Sequence, residues 1–205
     1  MKMKKLLLTS VVAFFALLNV NAQEKETVSG GFAQGDTYIS GTLNYISNTV
    51  SDRDYKYSEF TFSPSVGYFI DDNIALELTL YVGSNSEIDY LGDDYKYNNF
   101  GGGLGAVYFF TPDSKFSFTT GAALAYVSSK SEFNGIKSDD SYNVFSIGVL
   151  PGVSYFVSEA FALKASIGVL SYASGKSTAD GALASNTFNL NLDLSEVNFG
   201  LTYKF

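Results

Sequence analysis

The chain has 205 residues, 46% of them hydrophobic and 16% aromatic, with 13 basic and 21 acidic side chains and a formal charge of −8. It has no cysteine, which excludes disulfides and thiolate chemistry, and no histidine, which removes the usual general base near neutral pH, any Ser-His-Asp arrangement and the commonest metal ligand. Catalysis and cofactors are therefore not expected, and the acidic balance argues against nucleic acid, which is bound through clustered Lys and Arg.

Met1-Lys2-Met3-Lys4-Lys5 leads into an apolar run from Leu6 to Leu18, and Val20-Asn21-Ala22 has the small-residue ending of a signal-peptidase site. The run is shorter than the roughly 20 residues of a spanning helix. Residues 1–22 read as a cleaved export signal. Its removal takes away Lys2, Lys4 and Lys5, so 10 basic residues then face 21 acidic ones, a formal charge of −11. Residues 23–35 are polar and Gly-rich, a loosely ordered periplasmic lead-in to one domain over 36–205.

Eight segments of period-two alternation follow. The first, near 37–47, carries Ile39, Gly41, Leu43 and Tyr45 on one face, and the second, near 57–70, carries Phe60, Phe62, Pro64, Val66, Tyr68 and Ile70. After the tight turn Asp71-Asp72-Asn73, the third is the clearest: Ile74, Leu76, Leu78, Leu80 and Val82 share one side and Ala75, Glu77, Thr79 and Tyr81 the other. The fourth (Phe100 to Phe110) and fifth (Phe116 to Tyr126) flank the turn 111–115. The sixth (Phe145 to Tyr155) and seventh (Phe161, Leu163, Ala165, Ile167, Val169) flank Ser158-Glu159-Ala160, and the eighth ends the chain with Val197, Phe199, Leu201, Tyr203 and Phe205.

The other connections, near 48–56, 84–96, 128–141 and 171–186, are longer and rich in Asp, Ser, Asn, Gly and Lys. Long and short connections alternate as they do when every second crossing faces the cell exterior. Tyr57-x-x-Phe60, Tyr97-x-x-Phe100 and Tyr142-x-x-Phe145 repeat at the start of descending segments, so the repeating unit is one hairpin. Phe188, Leu190, Leu192 and Leu194 alternate on even numbers whereas Val197 to Phe205 alternate on odd ones. Either a β-bulge near Ser195-Glu196 shifts the phase, or 186–194 lies across the loops.

A soluble barrel of the lipocalin kind would turn the aliphatic face inward. Aromatic placement opposes that: Tyr68, Tyr108, Tyr155, Tyr203, Phe110, Phe116, Phe161 and Phe205 cluster at one end of the apolar face, and Tyr45, Phe60, Phe100, Tyr126 and Phe145 at the other. Two belts with aliphatics between them match the two interfaces of a bilayer. A strand of about ten residues at roughly 3.3 Å each, tilted about 45°, covers roughly 23 Å, the height of an outer-membrane apolar band. Open edges in hydrocarbon would strand backbone groups, so the sheet must close. The expected fold is all-β: an eight-stranded antiparallel up-and-down transmembrane β-barrel with a small-residue interior.

Glu77 and Lys164 occupy matching inward positions, in Ala75-Leu76-Glu77 and Ala162-Leu163-Lys164, on segments that face one another across an eight-membered ring. They are expected to meet as a polar plug, directly or through hydroxyls and water. Glu59 and Lys204 also point inward, near opposite rims. Asp93-Asp94 and Asp139-Asp140 on the long connections are candidate cation contacts. Gly101-x-Gly103-x-x-Ala106 matches a dinucleotide-binding pattern, but no helix or βαβ unit accompanies it and the match is accidental.

The leader, the eight segments and the terminal Leu201-Thr202-Tyr203-Lys204-Phe205 together resemble the small outer-membrane β-barrel proteins of the OmpA and OmpX type, the porin family of Gram-negative bacteria, over roughly 37–205. The Asn19-Val20-Asn21-Ala22-Gln23 junction resembles that of exported Bacteroidetes proteins. The resemblance implies the outer membrane, contact with its lipid and lipopolysaccharide, a monomer, and insertion by the barrel-assembly machinery, which would read Leu201, Tyr203 and Phe205. It implies a structural or surface-interaction role, with a narrow pore for ions or small solutes, or loop-mediated adhesion and host-factor binding, as alternatives.

Overall fold

A computed structural model describes residues 30–50, 55–166, 169–191 and 197–205. The expected export signal and the expected β-bulge near Ser195-Glu196 lie outside the described residues. The strands are β1 (Thr37–Val50), β2 (Tyr55–Phe69), β3 (Ile74–Ile88), β4 (Asp94–Phe109), β5 (Phe116–Phe133), β6 (Ile136–Phe156), β7 (Phe161–Ser166), β8 (Val169–Ser177), β9 (Ser185–Asn191) and β10 (Asn198–Lys204). Every pairing is antiparallel. The order β5-β4-β3-β2-β1-β10-β7-β6-β8-β9, with β5 also paired to β6, closes the sheet on itself. β7 and β8 both lie against β6, and β10 and β9 lie against them, so the ring has eight staves. This is a closed eight-stranded antiparallel barrel.

The outward face is the one the alternation marks. Leu76, Leu78, Leu80 and Val82 are about half exposed along β3, while Ala75 beside them is fully buried. The short turns fall where the Asp, Asn, Pro and Ser clusters put them, at 70–73, 110–115 and 157–160. Among the described residues the long connections are shorter than expected, with 178–184 left between β8 and β9. β3 and β4 run to Ile88 and from Asp94, and between β5 and β6 only Asn134-Gly135 remains. Beyond the membrane both faces of a strand meet water, so a polar run continues a ladder already started below it without burying a charge. Asn134 (φ 49°) and Gly135 (φ 81°) both take positive φ, the two-residue hairpin turn for which Asn-Gly is the strongest short-range signal.

The seventh stave changes phase. Phe161 and Leu163 face outward on odd numbers, but Leu170 and Tyr172 face outward on even ones. β6 pairs Gly152 with Ser166 but Val149 with Leu170, one residue more on the seventh stave than on β6. The outward face thus changes parity between these two described segments, and 171–177, expected in a loop, continue the wall by pairing with β6. The eighth stave turns phase as well, with Leu190 opposite Leu170 and Leu201 opposite Leu163.

The buried apolar side chains among the described residues are Phe32, Tyr38, Phe69, Ala75, Phe109, Phe156 and Ala162, and they form one cluster. It sits at the short-turn end of the ring, because Tyr38, Ala75 and Ala162 lie one residue into their strands and Phe69, Phe109 and Phe156 close theirs.

Candidate functional site

The lead-in contributes the first element of the site. Residues 30–36 are packed into the short-turn mouth. Phe32 is 4% exposed and its ring lies 4.7 Å from Phe69, 4.9 Å from Phe156, and 5.3 Å from both Phe109 and Tyr38. Four staves thus each present one ring to it. The backbone is pinned too: Phe32 N–H donates to the Pro112 carbonyl (2.6 Å), Gly35 N–H to the Phe69 carbonyl (2.9 Å), and Lys204 Nζ to the Gly31 carbonyl (2.6 Å) with Asp36 3.5 Å away. Gly30 and Gly31 permit the approach, since a Cβ on the first would overlap the Phe156 ring and one on the second would stand 2.7 Å from the Asp113 backbone. Of the segment read from sequence as loosely ordered, residues 30–35 are therefore packed and hydrogen-bonded into the mouth. That segment's Gly30-Gly31-Phe32 is an aromatic behind two residues that lack side chains, the one signal that marked it.

One layer above, Lys164 Nζ donates to Glu77 Oε1 at 2.8 Å, and the Tyr38 hydroxyl donates to the same oxygen at 2.7 Å. The side chains of Glu77 and Lys164 keep 15% and 28% of their exposure. The two meet directly across the bore. Gly67 is opposite Tyr38 in the β1–β2 register, and the Tyr38 ring occupies the space a side chain there would need, which lets the phenol lean in to Glu77. Thr202 donates to Ser40 at 3.1 Å in the same region. Above the pair is a cavity of about 260 Å³ lined by Ser40, Thr42, Ser63, Thr79, Tyr81 and Ser166, among others. From the short-turn end upward, the bore runs through a ring of aromatics, a charged pair and a hydroxyl-lined chamber.

A family model described as Outer membrane protein beta-barrel domain matches residues 10–205. The chain belongs to that family. Among solved structures, the outer membrane protein OprG from Pseudomonas aeruginosa is similar with a TM-score of 0.54 at 14% identity, covering 87% of this chain and 99% of its own. The Neisserial surface protein A is 22% identical over 82% of this chain and 97% of its own, with a TM-score of 0.46. No curated protein matches. At these identities the OprG likeness concerns the fold alone.

An outer membrane β-barrel domain sets the short turns toward the periplasm and the tall hairpins toward the exterior. In the periplasmic girdle, rings two residues apart pair edge to face on one surface: Tyr108 with Phe110, Phe116 with Phe118, and Tyr203 with Phe205. Leu201, Tyr203 and Phe205 share that outer face on and just after β10, Tyr203 also packing 4.9 Å from Phe161.

The loop acids of this barrel are placed in two separate clusters. Asp93 accepts from Asn134 Nδ2 (2.8 Å), Asp94 N–H donates to Asn134 Oδ1 (2.8 Å), and Lys96 donates to Asp94 Oδ2 (2.8 Å). Asp140 accepts from Thr178 at 3.1 Å. Among the described residues no three acidic side chains converge in a way that could hold a metal. At the extracellular rim, the Tyr57 hydroxyl donates to Glu59 at 2.5 Å, which pushes its pKa up to about 12.

Asn134 thus stitches the tip of the β5–β6 hairpin to the turn between β3 and β4. Asn134→Ala is expected to let these hairpins move separately, seen as faster protease cleavage within 84–96 and 128–141 of the membrane-embedded protein. Cleavage at the wild-type rate would show that the clamp contributes nothing to loop order.

Proposed function

We propose that this outer-membrane barrel is closed and non-catalytic, with a structural or surface-interaction role exercised through its extracellular hairpins. One observation carries the reading: the bore is obstructed at two successive heights, by Phe32 among four rings and by Glu77 bound to Lys164 and Tyr38. Eight staves leave an interior that side chains fill. The hairpin tips favour contact with other molecules over inertness, because Leu91, Ile136 and Leu183 are 87%, 73% and 89% exposed there. Outer-leaflet lipid, including lipopolysaccharide, is the expected surrounding partner and the monomer the expected state. Leu201, Tyr203 and Phe205 are the residues the barrel-assembly machinery would read.

The second reading is a narrow pore, and the hydroxyl-lined chamber above the charged pair favours it. Planar bilayers separate the two. The full chain is expected to give no steady single-channel steps, and reproducible steps would overturn the closed-barrel reading.

A further inference from the structure

One spacing recurs on four staves of the outer wall. Lys56, Lys96 and Lys130 each stand four residues beyond an aromatic of the extracellular belt, namely Phe60, Phe100 and Tyr126, and Lys176 stands four beyond the outward-facing Tyr172, always on the exterior side. Four is an even step, so each lysine shares the outward face of its aromatic rather than the bore. Cross-strand register agrees: Lys56 lies opposite Ile88, Lys130 opposite Asn98, Lys96 opposite Glu132 and Lys176 opposite Asn143. Lys96 and Lys130 are diagonal neighbours on adjacent strands, about 7–8 Å apart at the backbone.

Height then decides what they meet. Four residues at about 3.3 Å, tilted about 45°, lift each backbone about 9 Å past the belt. The headgroup layer extends about 5–8 Å beyond the hydrocarbon on each side, and a lysine's flexible stem can lean its ammonium back into it. All four side chains are exposed. Lys96 is partly neutralised by Asp94 at 2.8 Å and Glu132 at 3.9 Å, but among the described residues Lys56, Lys130 and Lys176 carry no ion pair. Four of the ten basic residues left after residue 22 thus occupy one level of the outer wall in a chain that is otherwise acidic.

We propose that this lysine collar binds phosphate-bearing lipid headgroups of the outer leaflet, setting the barrel's depth and gathering anionic lipid around it. The proposal rests on the chain's place in the outer membrane and is independent of whether the bore conducts. To test it, the full chain is inserted in vesicles of phosphatidylcholine and phosphatidylglycerol in equal amounts and extracted gently. The lipids it retains are then counted by native mass spectrometry.

Wild type is expected to retain phosphatidylglycerol in excess. The K56Q/K130Q/K176Q variant is expected to lose that excess, by about fivefold for each lysine near an anionic surface, while retaining phosphatidylcholine as before. Lysine-to-arginine replacements at the same positions keep the excess, and the single variants K130Q and K176Q serve if the triple variant folds poorly by circular dichroism. Equal retention of both lipids by wild type, or an undiminished excess in the variants, overturns the collar. Loss of the excess in inorganic phosphate but not in chloride of matched ionic strength is expected of a site that recognises the headgroup's phosphate, whereas equal loss in both salts would reduce the collar to diffuse screening and overturn it. A chain that retained neither lipid would speak against insertion itself, which is a different failure.

Discussion

Phe32→Ala is expected to lower the stability of the folded barrel by about 3 kcal/mol, the low end for removing a buried Phe from a packed cluster. The loss has two sources. The ring's own burial is forfeited, and so are its contacts with Tyr38, Phe69, Phe109 and Phe156, aromatic pairs worth about 0.5–1.5 kcal/mol each beyond area. The partners cannot close the gap, because each is fixed to a different stave, so the mouth opens toward the periplasm. Urea unfolding in lipid vesicles reads the first effect. The second is read with a thiol at the buried Ser154, since the chain has no cysteine of its own to interfere. In the Phe32→Ala background, Ser154→Cys should react with a water-soluble maleimide added from the periplasmic side much faster than with Phe32 present. An unchanged unfolding midpoint together with unchanged labelling would mean the lead-in rests in the mouth without sealing it.

Lys164→Met should cost more in stability than any substitution of an exposed lysine, about 3–5 kcal/mol, because it leaves the Glu77 carboxylate enclosed with only the Tyr38 hydroxyl as partner. Glu77→Gln should be destabilising for the mirror reason. The double variant is expected to recover a large part of the loss, since neither charge then has to be held out of water and the two replacements occupy similar volume. The sign of that recovery separates a coupled pair from two independent polar residues: additive losses, or singles that behave as wild type, would sink the coupling. The consequence is specificity of register more than gross stability. A charge on β3 and its counterpart on β7 can meet at 2.8 Å only if every stave between them is in its proper place.

Much of this was legible in the residues. Period-two alternation marked the outward face of β3 through β6, because lipid tolerates only apolar side chains on one side while an eight-membered ring tolerates mainly small ones on the other. Asp71-Asp72-Asn73 and Thr111-Pro112-Asp113 announced the periplasmic turns through their turn chemistry. Even the Glu77–Lys164 contact could be anticipated, from matching contexts and the geometry of opposite staves.

What escaped the sequence shares one physical cause: it depends on surfaces that exist only after the ring closes. Gly30-Gly31-Phe32 reads as a polar, Gly-rich tail until Tyr38, Phe69, Phe109 and Phe156 have been gathered from four staves into a pocket of Phe32's own size. The runs 84–96, 128–141 and 171–177 read as loops because their residues are individually poor strand formers, yet each has a paired neighbour already extended beside it, and ladder hydrogen bonds outweigh that weak preference. The phase change between Leu163 and Leu170 follows from β6, whose register leaves one residue of the seventh stave unmatched. The sequence by itself determined which face meets lipid, since that is a property of side chains taken two at a time. Only the tertiary structure decided which side chains stand in the bore, since their contacts join residues that no local spacing brings together.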